Sequence, residues 1–154
     1  MELKTKIAAE EGKQELKITR EFELPVELLF KAYVEPEIVE QWMGTKVLKL
    51  ENKNHGGWQF ETTDLRGNKH GFNGVIHEFF PNRKITRTFE MENTEFGVQL
   101  EFLEFEGLTE KTSKLSIQTI FRSVAQRDQM LKLPFAQGLN MAHNRLQEIV
   151  SKLK

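Results

Sequence analysis

Glu78 and Arg87 are the residues whose types and spacing most directly suggest chemistry. They flank Pro81-Asn82, which reads as a tight hairpin turn. Folding the chain there sets Ile76 opposite Arg87, with Glu78 diagonal to Arg87 on the same face. That face also carries Phe72, Ile85, Phe89 and Met91. A carboxylate and a guanidinium on an apolar face are expected to pair, because a lone buried charge is costly. The pair is then either a structural ion pair or a polar anchor for the head group of a ligand. The opposite parity, with Val75, His77 and Phe79 inward, would leave both charges in water.

The other chemical candidates are weaker. The four histidines are His55, His70, His77 and His143. None forms a His-x-His or His-x-x-x-His pair, so no metal site is expected. His143 lies near the edge of a helical stripe and reads as a solvated helix histidine. There is no cysteine, hence no thiol nucleophile or thiolate ligand. A Gly-x-Ser-x-Gly elbow and a glycine-rich phosphate loop are absent, and Gly56-Gly57 reads as a turn. No catalytic residue and no cofactor is assigned. An enzyme would need an acid and a base drawn from His77, Glu78 and Arg87. His77 and Glu78 are neighbours that point to opposite faces of a regular strand. Glu101, Glu104, Glu106 and Glu110 read as a solvated strand face and loop.

The elements that must position these residues follow from periodicity. Glu15 to Phe22 alternates as a strand, after a short edge strand within Leu3 to Ala8. Pro25 opens a first short helix and Pro36 a second, which Gly44 ends. Strands follow at Val47–Glu51, around Trp58–Thr62, Phe72–Phe80, Ile85–Met91, from Val98 onward, and Leu115–Phe121. In the Val98 strand the apolar set shifts from Leu100 and Phe102 to Leu103 and Phe105, which predicts a β-bulge. Val124 to Leu131 reads as a helical turn.

Pro134 to Leu153 reads as one long helix of about 30 Å. Phe135, Leu139, Ala142, Leu146 and Val150 form its apolar stripe. Gly138 costs it roughly 1 kcal/mol against alanine. A close strand, or a gap beneath the helix, would account for that glycine. The fold class is α+β: a curved antiparallel sheet of six to seven strands around a long C-terminal helix, with two short helices after the first strand. Residues 1–154 make one domain. The concave space between sheet and helix is the expected ligand site.

Twenty-two basic residues against 23 acidic give a net charge of −1 and no reason to expect a nucleic acid or membrane partner. No signal peptide and no transmembrane run is read, so the expectation is a cytoplasmic protein. Twelve Phe against one Tyr indicate a bulky interior with few hydroxyls.

In order and spacing, several short motifs resemble the activator of heat-shock-protein-90 ATPase homologue-like family of the START-like, or SRPBCC, helix-grip superfamily. They are Ile18-Thr19-Arg20-Glu21-Phe22, Leu24-Pro25-Val26, Glu35-Pro36-Glu37 and Gln41-Trp42-Met43-Gly44. Gly56-Gly57-Trp58-Gln59-Phe60, Gly74-Val75-Ile76-His77-Glu78 up to Pro81, and the Gly138 helix complete the set. The likeness spans about Glu15 to Leu153. The chain departs from it at Glu35, where the family usually has Asp, and at Leu24, which cannot cap a helix.

The resemblance implies a cavity that holds a small hydrophobic molecule, such as a lipid. The candidate ligand-binding residues are Trp42, Trp58, Phe60, Ile76, Glu78, Arg87, Phe89, Phe102, Phe135, Leu139, Ala142 and Leu146. It also implies two alternatives: a chaperone-linked partner with a role in the stress response, and a cyclase or dehydratase. Either a monomer or a homodimer is compatible.

Overall fold

Two periods alternate along this chain, and each change of period marks an element boundary. The computed structural model describes residues 3–153. Strands β1 (Lys6–Ala8) and β2 (Glu15–Phe22) come first. Helices α1 (Val26–Val34) and α2 (Pro36–Met43) follow, both begun at prolines. Leu24 is fully buried and α1 has no side-chain cap, whereas Gly44 ends α2 at φ 63°. Then come β3 (Lys46–Leu50), β4 (Gly57–Thr63), β5 (Lys69–Phe80), β6 (Lys84–Met91), β7 (Val98–Gly107) and β8 (Ser113–Ile120). Helices α3 (Val124–Leu131) and α4 (Phe135–Ser151) close the chain.

The strands form one curved antiparallel sheet in the order β1-β2-β8-β7-β6-β5-β4-β3. It has eight strands, more than the six or seven expected, because Lys6–Ala8 pairs with β2 as a full edge strand. Helix α4 is shorter than the Pro134–Leu153 reading, at 17 residues or about 26 Å. Its downstream half is anchored: Leu146 and Val150 are fully buried in a core shared with Phe22, Leu29 and Trp42. Its upstream half presents Phe135, Leu139 and Ala142, all half-buried. Gly138 is exposed, and a Cβ there would meet nothing within 4 Å. Close approach to a strand is therefore not the reason for this glycine.

Two parity assignments change in the structure. The register between β5 and β6 slips at His77: Ile76 lies opposite Arg87, but Glu78 lies opposite Thr86. One extra residue reverses the facing of everything beyond it. Phe79 turns inward to meet Phe30, with ring centroids 5.6 Å apart, and Glu78 turns outward. The loop before β4 takes up backbone groups around the bulge. His55 N–H donates to Ile76 O at 2.6 Å, and Phe79 N–H to Asn54 Oδ1 at 2.9 Å.

The bulge expected in β7 is absent, since its registers with β6 and β8 are unbroken. Gln99, Glu101, Leu103 and Phe105 all face inward, which leaves Leu100 and Phe102 on the outer face. Glu101 faces in because it sits directly opposite Arg87, which is itself buried.

Candidate functional site

Above the middle of the sheet, bounded by Tyr33 of α1, by Trp42 and Met43 of α2, and by Met130 of α3 and the upstream half of α4, lies a cavity of about 350 Å³. Of the expected residues, Trp42, Trp58, Phe60, Arg87, Phe89, Phe135, Leu139 and Ala142 line it. The other four lie elsewhere. Ile76 and Leu146 are core residues, packed away from the space. Phe102 is on the outer face because β7 carries no bulge. Glu78 is outside because β5 does: its carboxylate accepts from Thr86 Oγ1 at 2.6 Å and pairs with Lys84 at 3.0 Å. Those two contacts, Thr86 first, hold it below its ordinary carboxylate value. The expected Glu78–Arg87 pair does not form, and neither Glu78 nor His77 reaches the cavity.

Arg87 pairs instead with Glu101, Nε to Oε1 at 2.9 Å, across the β6–β7 ladder. The guanidinium carbon lies 4.9 Å from the Trp58 ring centre, a cation–π contact that covers the charge from one side. Tyr33 stands close by; burial raises its phenol well above the ordinary value, with the Arg87 charge acting in the opposite direction. The pair is thus net neutral and largely out of water, on the floor of an aromatic chamber.

Most other polar groups along the walls are satisfied by the protein. Trp42 Nε1 donates to Ala32 O at 2.7 Å, and Trp58 Nε1 to Thr88 O at 3.2 Å. Thr62 Oγ1 donates to Thr45 Oγ1, which donates onward to Glu61 O, both at 3.0 Å. Trp58 can lie where it does because its cross-strand neighbour is Gly74. A Cβ on Gly74 would collide with Thr88 O and with the Trp58 indole nitrogen.

Gln99, Glu101, Thr119, Tyr33 and Phe121 also line the cavity and were not among the expected residues. Gln99 and Glu101 were hidden because they alternate with Val98, Leu100 and Phe102, so hydrophobic patterning assigned them to solvent. The available signal was Arg87: a charge on an inward face requires a partner directly opposite. His143 also departs from the solvated reading. It is fully buried, with Nδ1 2.6 Å from Thr5 Oγ1 and its ring against Phe22 and Trp42. Burial, with a further contribution from the Arg20 charge, pushes its pKa down to about 3. Among the described residues, no three of His, Cys, Asp and Glu converge on a point that could hold a metal ion. Nor is any helix among them long and apolar enough to cross a membrane.

The family model described as Activator of Hsp90 ATPase homolog 1-like protein matches residues 23–151 of this chain. No curated protein matches it. Solved structures with the same fold include a Rhodobacter sphaeroides protein at 17% identity and TM-score 0.87, covering 97% of this chain and 99% of that one. A Mycobacterium smegmatis protein matches at 18% and 0.85, with 96% of both chains covered. An Arthrobacter aurescens protein matches at 17% and 0.86, covering 96% of this chain and 91% of that one. At these identities the likeness concerns the fold alone.

Proposed function

We propose that this chain, which belongs to the Activator of Hsp90 ATPase homolog 1-like family of START-like proteins, is a binding module for a small hydrophobic molecule. The observation that carries this reading is the cavity itself: about 350 Å³ of space walled by Trp42, Trp58, Phe60, Phe72, Phe89 and Phe135. The space is half open to solvent, and the protein leaves part of its aromatic walls uncovered, which is costly unless something apolar occupies it. It falls within the roughly 300–1,000 Å³ typical of ligand pockets. Apolar walls with a small set of polar groups on one side suit a molecule with a hydrophobic body.

Native mass spectrometry of the purified chain tests the proposal, together with titration by an environment-sensitive apolar dye. The expected result is saturable one-to-one dye uptake, and any co-purified mass lost on denaturation. A chain that carries no added mass and takes up no dye at micromolar concentration would overturn it.

A further inference from the structure

The polar side of the cavity specifies more than a hydrophobic ligand. Gln99 is 5% exposed, and its Nε2 is fully buried without a hydrogen-bond partner. It sits opposite Phe89 in the β6–β7 ladder, two residues before Glu101 on the same inward face. Several neighbouring polar groups are engaged within the protein: Arg87 through Nε with Glu101, Trp42 and Trp58 with backbone carbonyls, Thr62 with Thr45; the Tyr33 and Thr119 hydroxyls also line the space. An orphaned amide on the wall of a cavity differs from these, because buried polar groups are generally satisfied.

Resting on the cavity being a binding site, we infer that Gln99 is its polar recognition point. The ligand it selects is an uncharged, largely apolar molecule bearing one hydrogen-bonding oxygen, a carbonyl or a hydroxyl. A primary amide suits either, since it donates through Nε2 and accepts through Oε1 once turned over. A free carboxylate is disfavoured. The Arg87 charge is already balanced by Glu101, and a second carboxylate would lie beside the first in a water-poor space. A plain hydrocarbon is disfavoured as well, because it would seal the amide in an apolar space and return no hydrogen bond to it.

The experiment uses three ten-carbon probes: methyl octyl ketone, decane and decanoate. Each is titrated at neutral pH into the full chain and into its Gln99→Met variant. Intrinsic fluorescence reports binding, because both tryptophans of the chain, Trp42 and Trp58, line the cavity. The expected result is that wild type binds the ketone about tenfold more tightly than decane, with decanoate weakest. In Gln99→Met the ketone loses its advantage: it weakens, decane tightens because no amide is left unpaired, and the two come within about threefold of each other. Equal affinity for ketone and decane, tightest binding of decanoate, or an unaltered ketone affinity in the variant overturns the inference while leaving the cavity reading intact. Failure of all three probes to bind wild type overturns both. A variant that does not fold leaves the ranking of the three probes on wild type to decide.

Discussion

Arg87 and Glu101 meet at 2.9 Å on the floor of the cavity, with only 9% and 16% of their side chains exposed. Two opposite charges so far from water depend on each other, because each pairs a charge the other would leave bare. Glu101→Leu alone is therefore expected to destabilise the fold by about 3 kcal/mol, from an uncompensated guanidinium. The double variant Arg87→Met, Glu101→Leu should recover most of that loss. Urea unfolding of the three proteins checks it. A double variant as unstable as the single one would show that the pair is not coupled.

Gly74 beneath Trp58 offers a second test. Gly74→Ala places a methyl group against Thr88 O and the indole, so the strand or the ring must move. The expected cost is about 1–3 kcal/mol. A shifted tryptophan emission spectrum should accompany it, because Trp58 is one of only two tryptophans.

His143 makes acid stability a defined expectation. Unfolded, it titrates near 6.5; folded, burial holds it at about 3. Below pH 6.5 the unfolded chain gains a proton that the folded chain refuses, so stability falls as pH drops. The slope reaches about 1.4 kcal/mol per pH unit. Above pH 6.5 this residue contributes no pH dependence. Glu51, Asp64 and Glu78, all held below their ordinary values, add losses only nearer pH 4, at about their unperturbed range. Denaturation midpoints of wild type and His143→Leu between pH 7 and 5 (the span the carboxylates leave clear) should diverge. Parallel curves would remove the buried histidine from the account.

Gly138→Ala should stabilise. The position is exposed, helical and free of clashes, so alanine should contribute up to about 1 kcal/mol. A higher thermal midpoint is the readout.

Ala142→Phe is expected to fill part of the space it lines, weakening apolar dye uptake about tenfold. Stability should change by about 1 kcal/mol or less, since the ring enters an existing void. Dye titration and thermal melting on the same sample separate the two effects.

The amino-acid sequence by itself determined the element types, most of their boundaries and part of the aromatic lining of the cavity. Prolines 25 and 36 start helices, Gly44 stops one, and the alternation in β2 and β6 is strong enough to be read locally. Trp42, Phe89, Phe135 and Leu139 follow from that periodicity. Which polar residues face inward was decided only in the tertiary structure. A single extra residue at His77 moves Glu78 to the outside, and its signal is a register between strands rather than a pattern within one. Gln99 and Glu101 face inward because β7 must pair in unbroken register with both β6 and β8, against its own hydrophobic pattern. His143 is buried because Phe22 and Trp42, far away in sequence, close over it. Local periodicity records what a residue prefers; the pairing of distant strands and helices decides which preferences are met.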